Sequence, residues 1–219
     1  MKDESYVLPG ARIMRYSFHE RAVHWIAGLS YLYLLFTGLA FWSPWLFWIA
    51  VVLGGATVTR DLHPWVGLIF TAAVFLMYRM WASQMGKEPS DRAWDESLPL
   101  YIRNQDDKVA LTDKFNPGQK NLFWAFFWCG IALLVSGAIL WFTEYIPWSL
   151  RYLRYFAILV HPIAALITIG LFMIHLYMGV FLEGGAFHAI LHGDVSQNWA
   201  MAFHRLWYDR IVGDSPAKK

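Results

Sequence analysis

Four stretches of this chain, Ala22 to Trp42, Pro64 to Met80, Asn121 to Trp141 and Phe156 to Phe181, are almost continuously apolar. Each is near or above the roughly 20 residues that a helix needs to cross the hydrocarbon core of a bilayer. In lipid every backbone N–H and C=O must be satisfied within the protein, which leaves helices and closed barrels as the spanning structures. The expected fold is all-α and integral to the membrane: a bundle of four transmembrane helices forming one domain over residues 1–219. Charged residues make up only 16% of the chain, well short of the quarter or so found in soluble domains.

A fifth apolar stretch, Trp45 to Val58, has 14 residues, about 21 Å as a helix, and Pro44 separates it from the first span. It is expected to be re-entrant, interfacial or a plain apolar loop rather than a crossing. The basic residues support that count. Lys2, Arg12, Arg15 and Arg21 precede the first span; Arg79, Lys87, Arg92, Arg103, Lys108, Lys114 and Lys120 fall between the second and third; Arg205, Arg210, Lys218 and Lys219 follow the fourth. The opposite loops hold only Arg60, Arg151 and Arg154. Cationic loops stay in the cytoplasm, so four spans put both termini there, whereas a fifth crossing would divide the basic segments between two sides. Residues 82–120 are polar, carry Pro89, Pro99 and Pro117, and read as a cytoplasmic loop. The 183–219 tail is expected to hold a short amphipathic helix near the membrane surface between His188 and Tyr208. With Lys2, Asp3 and Glu4 at its start, the N-terminus does not read as a cleavable signal peptide.

Four of the eight histidines sit in or at the ends of these runs, each with a glycine or alanine four residues on: His24 with Gly28, His63 with Gly67, His161 with Ala165, His175 with Gly179. An ionisable side chain in a span is costly and marks a functional site. Imidazoles facing each other across a bundle can hold a haem iron from both sides. A small residue one turn along the same face leaves room for the flat macrocycle. His161 and His175 are 14 residues apart, which brings them within about 40° of one face and about 21 Å apart along the axis. Topology then gives each a partner at its own depth. His24 opens the first span on the cytoplasmic side, level with His175; His63 opens the second on the other side, level with His161. Two bis-histidine sites for two b-type haems result, one near each face.

A different reading of the same residues, a haem-free anchor or proton-coupled transporter with histidine proton relays, stays open at this point. His19, His188, His192 and His204 lie in polar segments and lack the small residue. His188 and His192 have the i, i+4 spacing of a metal pair, without an evident third ligand. Cys129 is the only cysteine, which excludes an internal disulfide, CxxCH haem attachment and iron–sulfur clusters. Any haem here is held non-covalently. A net charge of +2 without a basic helix excludes nucleic acid as a partner. Paired haems in a bundle would carry electrons, so electron transfer is expected rather than bond-making chemistry.

At these residues the chain resembles the cytochrome b (gamma) subunits of membrane-bound respiratory formate dehydrogenases. The matching elements are Arg21-Ala22-Val23-His24-Trp25, Leu62-His63-Pro64 with Gly67, Lys114-Phe115-Asn116-Pro117-Gly118-Gln119-Lys120 followed by Phe123-Trp124, Val160-His161, and Ile174-His175-Leu176-Tyr177-Met178. Val195-Ser196, Trp199-Ala200 and Arg205-Leu206-Trp207-Tyr208 extend the match to nearly the whole chain. The resemblance implies an inner-membrane subunit carrying two haem b, with His63 and His161 binding the periplasmic one and His24 and His175 the cytoplasmic one. It implies an iron–sulfur (beta) subunit and a molybdopterin or tungstopterin catalytic (alpha) subunit as partners, a higher oligomer of the complex, and menaquinone or ubiquinone as electron acceptor. Asn116, Gly118 and Gln119, with His175, match the segment that borders the quinone. Read from the residues alone, Asn116-Pro117-Gly118 is also an ordinary turn with Asn116 capping the next helix. Similar b subunits serve nickel–iron hydrogenases and thiosulfate reductases, so the electron donor stays open among these.

Overall fold

The structure is a computed structural model in which residues 6–103, 105 and 108–213 are described. Lys2, Asp3, Glu4, Lys218 and Lys219, counted above among the flanking charges, lie outside the described residues. In chain order the elements are β1 (Tyr6–Leu8), β2 (Arg12–Met14), α1 (Phe18–Trp42), α2 (Phe47–Val52), α3 (Ala56–Trp81), α4 (Pro89–Ile102), α5 (Pro117–Trp141), α6 (Tyr152–Leu176), α7 (Ala186–His192), β3 (Asp194–Ser196), α8 (Gln197–Phe203) and α9 (Arg205–Gly213). A π-helical turn, Tyr177–Leu182, extends α6.

Among the described residues four helices are long and apolar enough to cross a membrane: Phe18–Trp42, Ala56–Gln84, Pro117–Trp141 and Tyr152–Leu182. They coincide with the four expected spans, with one difference in extent. The second begins at Ala56 rather than Pro64 and runs through the proline. Arg60 and Asp61, paired at 3.4 Å and exposed, break the apolar pattern of those first turns without breaking the helix. Proline is tolerated inside spanning helices, where neighbouring groups re-satisfy the freed backbone. The stretch from Trp45 is not among the helices long enough to cross. It forms a 3-10 turn and the six-residue α2, about 9 Å long, with Trp45 90% exposed. Gly54 and Gly55, at φ +103° and +98°, then turn the chain into α3.

The contacts divide the chain into two compact bodies, Met1–Ala22 with Met80–Trp124 and Ile174–Lys219, and Val23–Arg79 with Ala125–Met173. In the first body β1, β2 and β3 form an antiparallel sheet in that order, with Ile13 opposite Val195. Ile13, Ala189, Val195, Trp199, Ala200, Trp207 and Ile211 make its core. The turn after α7 depends on Gly193. Its φ is +97°, a Cβ there would fall 2.7 Å from the Tyr16 carbonyl, and its own carbonyl accepts from Arg15 and Tyr16 N–H at 2.8 and 2.9 Å.

The 82–120 segment is more ordered than its composition suggested. It holds the 14-residue α4, with Pro89 at its first position and the Asp91 carboxylate accepting from Glu88 N–H at 2.9 Å. Asp91 is tied to α5 by the buried Lys120, whose Nζ lies 3.0 and 3.1 Å from its two oxygens.

The second body contains the larger part of α1, α3, α5 and α6. Tyr31 of α1 fills its centre, 7% exposed, against Phe70, Phe126 and Phe172 of the other three helices. Its hydroxyl donates to Thr168 Oγ1 at 3.4 Å.

Candidate functional site

His63 lies in the second turn of α3 and His161 in the third turn of α6, and each is followed by a proline within its helix, Pro64 and Pro162. Within the second body their rings stand edge-on to each other, with centroids 6.4 Å apart and planes at 62°. At this separation the two imidazoles could hold one metal ion between them.

The other two helices supply the surroundings. Thr37 of α1 sets its Oγ1 2.6 Å from His63 Nδ1, and Ser136 of α5 sets its Oγ 2.9 Å from His161 Nδ1. Thr37 and Ser136 are buried, at 0% and 2% exposure. With Nδ1 engaged on both rings, Nε2 is the nitrogen each can offer to a metal. Each hydroxyl residue is followed by a glycine against the same imidazole. A Cβ at Gly38 would lie 3.8 Å from His63 Cε1, and one at Gly137 3.2 Å from His161 Cε1. The Phe41 ring stands edge-on to His63 at 5.5 Å.

Thr37-Gly38 and Ser136-Gly137 were missed by the sequence reading. The signal available was a hydroxyl–glycine pair late in each of two spans, at the depth of the histidines opening the spans that follow.

His24 lies in the second turn of α1, half-buried, with its ring edge-on to Trp25 at 5.9 Å. His175 is half-buried in the last turn of α6, directly before the π-helical turn. The two belong to different bodies. Of the small residues at the i+4 offset, Gly28, Gly67 and Gly179 leave their helix surface bare: among the described residues, a Cβ on any of them would meet nothing within 4 Å. Ala165 is half-buried on α6. Bare helix surface one turn from a histidine is what a flat macrocycle lying beside the backbone needs.

The Asn116–Gln119 segment caps α5 as its turn chemistry predicts. Asn116 Oδ1 accepts from Gln119 N–H at 2.9 Å, and Gln119 Oε1 accepts from Asn116 N–H at 3.1 Å, a reciprocal capping box. Gly118 is required by close packing, since a Cβ there would fall 3.2 Å from both Asn116 Oδ1 and the Trp94 ring. The remaining carboxamide donors converge on Glu183, which follows the π-helical turn and is 2% exposed. Asn116 Nδ2 donates to it at 2.9 Å and Gln119 Nε2 at 3.3 Å, and the Tyr101 hydroxyl also donates. Glu183 and Tyr101 carried no sequence signal, because both lie in segments without apolar period.

The other histidines have structural settings. His19 is exposed. His188 contacts Arg12 at 2.6 Å and Asp194 at 3.3 Å, and among the described residues no three metal-ligating side chains cluster. The Arg12 guanidinium, which donates to Asp194, holds that carboxyl below the usual range. His204 is fully buried, with its Nδ1 2.7 Å from the Asp113 carbonyl. Burial, reinforced by the nearby Arg15 charge, pushes its pKa well below the usual 6.5.

Comparison with known proteins identifies the family. Residues 15–193 match the family model of prokaryotic cytochrome b561, a range that includes all four span histidines. The cytochrome b556(Fdn) subunit of the nitrate-inducible formate dehydrogenase of Escherichia coli K12 is 31% identical over 210 residues, covering 94% of each chain. The cytochrome b556(fdo) subunit of formate dehydrogenase from the same organism is 31% identical over 201 residues, covering 91% of this chain and 93% of the relative. A formate dehydrogenase cytochrome b556 subunit from Haemophilus influenzae is 32% identical over 205 residues, covering 92% and 84%. With four helices able to span a bilayer, the protein is a multi-pass component of the bacterial inner membrane. The histidine-bearing four-helix body and the matches over nearly its full length make this chain a member of the prokaryotic cytochrome b561 family.

Proposed function

We propose that the chain is the di-haem cytochrome b subunit of a formate dehydrogenase, connecting a periplasmic-side iron–sulfur subunit with quinone on the cytoplasmic side. The observation that carries this reading is the pairing of His63 and His161 inside the helical body, with both Nδ1 atoms held by hydroxyls of neighbouring helices. His24 and His175 form the second pair. Its support is the 14-residue interval on α6 and the direction of each span, which put His24 and His175 at one depth and His63 and His161 at the other. Haem b bound by these pairs supplies reversible one-electron transfer.

The chain's own residues hold the imidazoles, exclude water from them and fix their depths. Gly28, Gly67, Ala165 and Gly179 would leave room on the helix surface beside each macrocycle. The basic flanks set both termini and the 82–120 segment in the cytoplasm. Menaquinone or ubiquinone is reduced next to Asn116, Gly118, Gln119 and His175. Support for that location is the polar group gathered there, in which the carboxamides cap α5 and donate to the buried Glu183. Protons for the quinone come from the cytoplasm, so turnover separates charge across the bilayer. The partners are an iron–sulfur subunit and a molybdopterin or tungstopterin catalytic subunit, assembled into a higher oligomer.

Anaerobic addition of formate to the purified complex tests this. Reduction of both haems by formate and their reoxidation by a quinone analogue are expected. Reduction by hydrogen but not formate would assign the chain to a hydrogenase instead, and a colourless preparation would refute the haem assignment.

A further inference from the structure

We propose that Thr37 and Ser136 are positioning residues for the haem held by His63 and His161: each hydroxyl fixes one imidazole in its Nδ1–H form, orients the ring and lowers the haem's reduction potential. The inference rests on the haem reading above and deepens it.

A hydroxyl carries one proton, and in both residues that proton has a destination within its own helix. Thr37 Oγ1 donates to the Tyr33 carbonyl at 2.8 Å, with Leu34 at 3.2 Å. Ser136 Oγ donates to the Ala132 carbonyl at 2.6 Å, with Leu133 at 3.4 Å. With its proton placed there, each oxygen can only accept from the imidazole, 2.6 Å away for His63 and 2.9 Å for His161. The imidazole proton therefore sits on Nδ1, and the Nε2 lone pair is left for iron. Burial of both hydroxyls keeps water from competing for Nδ1.

Back-bonding to the helix is by itself a common fate of hydroxyls in spans. Thr71 shows it, donating to the Gly67 carbonyl at 2.8 Å. Thr37 and Ser136 differ in adding a histidine Nδ1, and they do so twice, on α1 and α5, with a glycine next in sequence that lets the imidazole approach the helix. The duplication on independent helices is what marks a device rather than an incidental contact.

An acceptor on Nδ1–H raises the basicity of the coordinating imidazole. A more basic ligand favours oxidised iron, so losing the acceptor moves the potential in the positive direction. The two hydroxyls also orient the rings, whose planes stand at 62° to each other, and the orientation of imidazoles that would hold the iron would show in its low-spin EPR signal.

The test uses the assembled complex with Thr37→Val and Ser136→Ala, together with the conservative Thr37→Ser and Ser136→Thr. Its readouts are potentiometric titration, EPR and haem content. In Thr37→Val and Ser136→Ala one of the two haems is expected to titrate more positively, by up to about tenfold in the ratio of reduced to oxidised haem at fixed poise, or 59 mV for a one-electron couple. Its EPR signal shifts, the other haem does not change, and the conservative variants restore both readings. Loss of that haem alone, reversed in the conservative variants, supports the proposal equally. Unchanged potentials with full haem content, equal shifts in both haems, or a loss the conservative variants do not reverse would overturn it. A wild-type complex without haem would instead refute the proposed function.

Discussion

Gly38 and Gly137 look equivalent in the sequence, each following a hydroxyl residue on a spanning helix, yet the structure separates them. A methyl group at 38 would lie 3.8 Å from His63 Cε1, an ordinary contact, whereas one at 137 would lie 3.2 Å from His161 Cε1 and 3.6 Å from Nδ1. Carbon atoms pack at about 3.5–4.0 Å, so Gly137→Ala forces the imidazole back by a few tenths of an ångström. The ring cannot yield freely, because Ser136 holds its Nδ1 at 2.9 Å and iron would hold its Nε2. Overpacking of this kind costs about 1–3 kcal/mol, which is about fivefold to 150-fold in affinity for haem at that site. Pyridine haemochrome quantification and redox difference spectra on purified complexes measure it. Gly137→Ala is expected to lose occupancy at one haem, and Gly38→Ala to match wild type. Equal effects in the two variants, or full occupancy and an unshifted spectrum in Gly137→Ala, would refute the placement of His161.

Three other expectations follow from particular groups. Lys120→Met strands the buried Asp91 without its cation, and should lower stability by about 3–5 kcal/mol in detergent unfolding, with recovery when Asp91→Leu is added; no change would show that the pair is not buried. His204 is neutral when folded because burial depresses its pKa, whereas the unfolded chain takes up that proton as pH falls below 6.5. Its contribution to stability is therefore full above pH 6.5 and declines below it, a slope that His204→Asn should flatten in unfolding titrations. Vesicles containing the whole complex should develop a membrane potential during formate-driven quinone reduction; turnover without one would disprove cytoplasmic proton uptake.

Much of this arrangement was legible in the sequence because lipid imposes a length and a polarity on anything that crosses it. Residues 22–42 and 121–141 were read to within a few residues for that reason. The start of α3 was hidden by Arg60, Asp61 and Pro64, which look like loop residues until the helix is seen to pass through them. The sheet was illegible. Its strands are three residues each, and β2 pairs with β3 about 180 residues away, a contact that no local pattern encodes. Helix α4 was masked by a polar composition and three prolines, although Pro89 at its first position and Asp91 at its third are helix-start signals. At the site, the histidines stood out because a titratable group in an apolar run is rare. Their partners Thr37 and Ser136 did not, since a hydroxyl in a span is commonplace and only its distance to Nδ1 gives it meaning.

The central claim is that the chain holds two b haems, each between two of the four span histidines. Haem quantification with a reduced-minus-oxidised spectrum on the His161→Ala complex, set against wild type, tests it most directly. Two haems per chain in wild type and one in the variant, with the surviving spectrum that of a single component, is the expected result. Two haems retained in His161→Ala, or none in wild type, would contradict it.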